Sequence, residues 1–205
     1  MSKILLINSS PMADNSISRK LTASFVAKYQ AAKGETFEVI EHDTVALNLP
    51  HADGDVLGAY FTPADQRSAE QQAHVDRSDT IIKAIKEADA IVLGVPMHNF
   101  GIPSGLKAYV DHFARAGETF KYTENGPVGL VEDKPVYVLA TRGGDYSENG
   151  YPQMDFVLPY LKTVFGFIGL NDVTALQANG LAMGEEAVAA AIAKVEEEID
   201  QVLAA

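Results

Sequence analysis

The chain has 205 residues, 47% of them hydrophobic and 21% charged, which is enough apolar material for a packed core and rules out a disordered chain. Sixteen Lys and Arg stand against 28 Asp and Glu, a net charge of −12 that argues against nucleic acid as a partner. With no cysteine there can be no disulfide framework, thiolate nucleophile or cysteine-held metal centre. Residues 4–7 are the one apolar run near the start, too short for a signal-peptide core of about 7–15 residues. No run approaches the roughly 18 apolar residues of a membrane span. The expectation is a cytoplasmic protein with no membrane partner.

In chain order, residues 4–7 predict a buried strand. A helix follows over residues 18–32, with Leu21, Phe25, Val26 and Tyr29 on one stripe. Residues 36–40 alternate polar and apolar and suit an edge strand. Thr62-Pro63-Ala64-Asp65 reads as an N-cap with proline at the first helical position. The helix it opens runs through Ile81, Ile82 and Ile85 to about Ala88. Residues 90–95 predict a second buried strand, and Leu106, Tyr109, Val110 and Phe113 a third helical stripe. A strand over 136–141, a helix over 156–167, a strand over 173–176 and an acidic amphipathic helix over 184–203 complete the series. Residues 42–60, 119–133 and 142–151 are rich in Gly, Asn, Asp and Pro and read as excursions. The middle one reads as a hairpin flap turning at Asn125-Gly126.

Strands alternating with helices imply an α/β fold with a parallel sheet covered on both faces. Five strands and five helices in this length predict a flavodoxin-like doubly wound sheet, order 2-1-3-4-5, as a single domain over residues 1–205. Ligands of such sheets bind beyond the carboxyl ends of the strands, where strand order reverses. The loops after the first, third and fourth predicted strands are therefore the informative ones.

After the first strand come Asn8-Ser9-Ser10-Pro11 and then Asn15-Ser16-Ile17-Ser18. Hydroxyls and free N–H groups at a helix N-terminus form an anion site, able to hold a phosphate without a Lys or Arg. After the third come Pro96-Met97-His98-Asn99-Phe100-Gly101-Ile102-Pro103, a loop stiffened by prolines, with Asn99 as a two-way hydrogen-bonding group and Phe100 as an apolar wall. After the fourth come Thr141-Arg142-Gly143-Gly144, whose glycine amides can face developing negative charge. Together they describe a site for a planar, phosphate-tailed, electron-accepting ring, and FMN fits that description. The dinucleotide, P-loop and nucleophile-elbow glycine patterns are absent, and the histidines at 42, 51, 74 and 112 lack zinc-ligand spacing, so no metal is expected. On the residues alone, a small electron carrier and a cofactor-free binding protein on the same fold remain alternatives to an enzyme.

Pro96-x-x-Asn99-Phe100-x-x-Pro103-x-x-Leu106-Lys107 resembles the signature of the FMN-dependent NADH azoreductases, also called FMN-dependent NADH:quinone oxidoreductases. Further blocks match in the same order: Ser9-Ser10 with Ser16-x-Ser18, residues 114–117, residues 120–127, residues 141–144 and residues 165–169. The resemblance implies a homodimer with one non-covalent FMN per subunit, passing two electrons from NADH to quinones or azo compounds by a ping-pong route. It assigns Ser10, Ser16, Ile17 and Ser18 to the phosphate. Pro96, Met97, His98, Asn99 and Phe100 fall to the isoalloxazine ring, and Thr141, Arg142, Gly143 and Gly144 to its other edge. Asn99 and Phe100, with Tyr122 and Phe165 or Phe167 reaching over the partner's flavin, become substrate-pocket walls. His98 stands where relatives carry a larger aromatic and is either a proton donor or a wall. The arginine that some relatives place near Tyr60-Phe61 is missing.

Overall fold

The computed structural model describes residues 1–147 and 150–204. Its first half runs β1 (Lys3–Asn8), α1 (Ile17–Lys33), β2 (Glu38–Asp43), α2 (Gly54–Phe61), α3 (Ala69–Glu87), β3 (Ala90–Pro96) and α4 (Ser104–Phe113). The second half runs β4 (Phe120–Thr123), β5 (Gly126–Gly129), β6 (Val136–Thr141), α5 (Val157–Ile168), β7 (Val173–Ala178) and α6 (Glu185–Ala204). Five strands form one parallel sheet in the order β2-β1-β3-β6-β7, and β4 and β5 pair separately. With that hairpin set aside, this is the expected flavodoxin-like 2-1-3-4-5 order.

Both faces of the sheet are covered. Leu5, Ile7, Ile91, Leu93 and Val138 pack against α3, α4 and α5, while Ile4, Leu6, Ala90, Val92 and Leu139 pack against α1 and α6. Successive strand residues point to opposite faces, so burial on both sides makes β1 and β3 continuously apolar rather than alternating. Each such fully buried Ile, Leu or Val contributes about 1.5–3 kcal/mol. No helix among the described residues is long and apolar enough to cross a membrane.

Several boundaries differ from the sequence reading, each for a physical reason. The 42–60 excursion holds the end of β2 and the helix α2, whose N-cap Asp53 accepts the N–H groups of Asp55 and Val56. Thr62 does not open a helix: it is the C-cap of α2, its N–H bonded to Gly58 and Ala59 carbonyls, and Pro63 leads into one 3-10 turn (Ala64–Gln66). The long helix begins at Ala69, where Ser68 and Gln71 form a reciprocal capping box. The edge strand is shifted to Glu38–Asp43, because its partner β1 runs on to Asn8, opposite Asp43. Glu148 and Asn149, inside the predicted 142–151 excursion, lie outside the described residues, as does Ala205.

The hairpin turns at Glu124-Asn125, one residue earlier than expected. Gly126, at φ 106°, already pairs with Thr123. The Thr123 hydroxyl fixes this register by donating to the Gly126 carbonyl (2.7 Å) and accepting the Asn125 N–H (3.2 Å). At its base the hairpin presses on the end of α5: Val131 N–H donates to Ile168 O at 3.0 Å, and a Cβ on Gly129 would overlap Gly169 N and Ile168 C. Gly129→Ala must therefore push the hairpin off α5. Overpacking of this kind costs about 1–3 kcal/mol, so denaturant unfolding is expected to show that loss together with faster proteolysis near residues 120–130. Unchanged stability and cleavage would contradict the contact.

Candidate functional site

Parallel register aligns three strand ends. Asn8 lies opposite Gly94 across β1 and β3, and Pro96 lies opposite Thr141 across β3 and β6. The winding reverses between β1 and β3, with β2 on one side and β6 on the other, which is where open α/β sheets bind ligands. The loops are joined directly: the Ser9 hydroxyl donates to Gly94 O at 2.7 Å, and Met97 N–H donates to Thr141 O at 2.8 Å. The structure thus brings together all three loops that the sequence singled out.

In the first loop Ser16 is the N-cap of α1, its hydroxyl accepting the Arg19 N–H at 3.3 Å. Ser16 Oγ and Ser18 Oγ lie 3.0 Å apart, so one hydroxyl proton joins them and the other is left for a ligand. The first-turn N–H groups of Ile17 and Ser18 have no acceptor among the described residues, and no acidic side chain sits in that turn. The Ser10 hydroxyl accepts Met12 N–H (3.3 Å) and keeps its own proton. Two residues that the sequence reading missed brace this cradle. Arg19 donates twice to Ser10 O (3.2 and 2.8 Å) and pairs with Asp43 at 2.7 Å. Burial alone would raise the Asp43 carboxyl, but the Arg19 hydrogen bond and the Val45 and Ala46 N–H groups outweigh it and hold the carboxyl below its usual range. The arginine three residues after a helix-capping serine was the available signal for this brace.

The second loop is strained. Asn99 and Phe100 sit at φ 48° and 70°, closing a two-residue turn in which His98 and Gly101 exchange both backbone hydrogen bonds (2.9 and 3.0 Å). Both central positions of such a turn need a positive φ, which asparagine tolerates and phenylalanine resists by about 1–2 kcal/mol. The turn holds the Phe100 ring 42% exposed, edge-on to Tyr146 at 6.4 Å. His98 and Asn99 also line a hollow of about 500 Å³ with His51, Ser104 and Lys107. Below, the buried His42 Nδ1 and Tyr109 hydroxyl are 2.7 Å apart. Burial pushes the imidazole pKa down and the phenol pKa up, so the two share one hydrogen bond as neutral groups.

In the third loop the carbonyls of Arg142, Gly143 and Gly144 accept N–H groups of Leu181, Ala182 and Gly180 at 2.9–3.0 Å. The Gly143 and Gly144 amides have no acceptor among the described residues, as the expected role requires. The Arg142 side chain does not face outward with them. It is 0% exposed and pairs with Asp155 at 2.5 Å, and its backbone N–H donates to Ala178 O at 2.9 Å, which leaves Gly143 and Gly144 to supply this loop's free amides among the described residues. These observations fit FMN, with amides and hydroxyls for a phosphate, a presented aromatic turn for a flat ring, and free amides for its electron-rich edge.

The three expected pocket walls from farther along the chain part company. Tyr122 is 74% exposed on the hairpin, and Phe120, between it and Phe167, touches both at ring distances of 5.6 and 4.4 Å. Phe165 is a correction: it is 2% exposed and stacked on Phe113 at 6.3 Å inside the core, because it lies on the sheet-facing stripe of α5. Phe167 is partly buried and shares the Phe120 ring with Tyr122.

Strain retained at a loop tip is characteristic of functional sites. Phe100→Gly relieves it, so denaturant unfolding is expected to give a stability equal to wild type or up to about 1 kcal/mol higher. FMN affinity in the same variant is expected to fall about tenfold, roughly the 1.4 kcal/mol of a lost aromatic contact. A stability loss with unchanged FMN affinity would make Phe100 a packing residue.

A family model described as a flavodoxin-like fold matches residues 2–203. The chain is 51% identical to the FMN-dependent NADH:quinone oxidoreductases of Herminiimonas arsenicoxydans and Cellvibrio japonicus (strain Ueda107), over 100% of this chain and of each relative. Among solved structures, the FMN-dependent NADH-azoreductase of Bacillus anthracis str. Ames Ancestor, in complex with FMN, superposes with a TM-score of 0.87. Its identity is 32%, and the match covers 99% of this chain and 100% of that one. The azoreductase of Bacillus anthracis str. Sterne gives a TM-score of 0.89 at 31% identity, with 99% of both chains covered. Fold, site and kinship agree: the chain belongs to the FMN-dependent NADH:quinone oxidoreductase family of flavodoxin-like proteins.

Proposed function

We propose that this protein binds one FMN per subunit, without a covalent bond, and passes two electrons from NADH to quinones and azo compounds, the latter being cleaved reductively. The observation that carries this reading is the meeting of three loops at one sheet edge. One loop presents serine hydroxyls and helix N-terminal amides without an acceptor among the described residues, one a strained aromatic turn, and one a pair of glycine amides likewise without an acceptor among them.

Bound FMN would supply the two-electron chemistry. The chain's own work is positioning and electrostatics. Ser10, Ser16, Ser18 and the first turn of α1 hold the phosphate, since a helix N-terminus favours an anion. Pro96, Met97, His98, Asn99 and Phe100 would line the ring and leave it accessible to NADH and the acceptor. The Gly143 and Gly144 amides would meet the ring edge where negative charge gathers, and being held in place by the carbonyl bonds of their loop they would need little reorganisation as charge arrives. No side chain is required as an obligatory acid, and His98 lines the approach. NADH and the acceptor then use the same open face in turn, which makes the kinetics ping-pong.

The hairpin supports a homodimer with a site at each subunit boundary. A 12-residue helix, α5, separates the Phe100 turn from the hairpin base, and at 1.5 Å per residue that is roughly 18 Å. Tyr122 and Phe167 therefore suit a second copy's site better than their own.

Purified yellow protein under anaerobic conditions is expected to bleach on adding NADH alone and to regain its colour on adding benzoquinone. Initial rates should give parallel double-reciprocal lines. Flavin that bleaches only with a separate reductase would instead favour an electron carrier, and converging lines would refute the shared face.

A further inference from the structure

Asp155 touches none of the three loops' open faces, yet it ties two of them together. One of its oxygens takes the Arg142 Nη2 at 2.5 Å, anchoring the loop after β6. The other accepts the Val157 N–H at 2.8 Å, fixing the start of α5. Between these, Phe156 N–H donates to Phe100 O at 3.0 Å and so holds the strained turn of the loop after β3. Both partners of the ion pair are buried, at 0% and 9% exposure, and Arg142 Nε and Nη1 have no other acceptor among the described residues. A buried guanidinium with a single carboxylate partner cannot move freely without leaving its charge uncompensated. The position of Phe156, and through it the backbone of Phe100, is thus set by a charge that belongs to the opposite loop.

We infer that Asp155 is a positioning residue of the ring site, coupling the Thr141–Gly144 loop to the Asn99-Phe100 turn through Arg142 and Phe156. The inference rests on the FMN reading above, and it goes further by naming what keeps two walls of the slot in register. Asp155 has no contact with the ring in this scheme. Its effect must pass through Phe100.

That route is testable by a double-mutant cycle. FMN is stripped from wild type, Asp155→Asn, Phe100→Gly and the double variant, and its dissociation constant is measured for each by fluorescence titration, with thermal melts alongside. Asparagine keeps the acceptor for Val157 N–H and removes the charge that fixes Arg142. The expected result is a loss of FMN affinity of about tenfold in each single variant, the weight of one ring contact. The double variant should bind no worse than the weaker single, because the aromatic ring that Asp155 positions is already gone. Asp155→Asn should lower the melting temperature and Phe100→Gly should not, with the two shifts adding in the double variant, which separates positioning from stability. If the two losses of affinity multiply, or if Asp155→Asn binds FMN as wild type does, the inference is overturned. If Asp155→Asn does not fold, the paired apolar swap R142M/D155L takes its place with the same expectation, since it removes the buried charges together with the clamp. Wild-type protein that takes up no FMN would sink the functional reading as well, so failure of the two can be told apart.

Discussion

The arrangement depends on how closely α1 lies against β3, and Gly94 sets that distance. A side chain there would meet Thr22 Cγ2 at 2.9 Å and Asn8 Oδ1 at 3.2 Å, with the Ser18 carbonyl at 3.4 Å. Those neighbours are mutually engaged, since the Thr22 hydroxyl donates to Asn8 Oδ1 at 3.1 Å and Asn8 Nδ2 donates to Glu41 at 2.8 Å. A bare backbone at this point lets the first turn of α1 come down beside the end of β3. The anion cradle and the aromatic turn then stand next to one another rather than a side chain apart. Parallel register does the rest by aligning the third loop with the second.

Much of this was legible in the residues because burial leaves a plain signature. A central strand covered on both faces must be continuously apolar, and residues 4–7, 90–95 and 136–140 are. The chemistry of the three loops was legible for a related reason: serines, glycines and an exposed aromatic just past a strand have few structural duties there. What stayed hidden was either locally ambiguous or non-local. Thr62-Pro63 carries the chemistry of a helix start, yet the same residues can end one helix and begin a turn, and only the Ser68–Gln71 box distinguished the true start. The helix α2 is eight residues long with two glycines, too short and too permissive to announce itself. The partnership of Arg142 with Asp155 leaves no mark in spacing, since the two stand 13 positions apart with a 3-10 turn between them. Phe100 at positive φ runs against its own propensity, and a propensity argument misses just such a residue.

The two least economical features of the chain, a phenylalanine in a left-handed turn and a buried ion pair with unsatisfied donors, are neighbours in space. Each lowers stability, and the sheet with its two apolar layers offsets both. They meet at Phe156, which joins the start of α5 to the turn. The other end of α5 carries the hairpin and its exposed Tyr122. One helix thereby links the Asn99-Phe100 turn to the hairpin that carries Tyr122.

The central claim is that the N-terminus of α1 holds an anionic tail by amides and hydroxyls, beside a ring held by the neighbouring turn. The most direct measurement compares FMN with riboflavin, which carries the same ring and no phosphate, by titrating flavin-free protein with each. Charge-assisted hydrogen bonds contribute about 1.5–3 kcal/mol apiece, so FMN is expected to bind at least about a hundredfold more tightly. Equal affinities would place the recognition elsewhere and contradict the account.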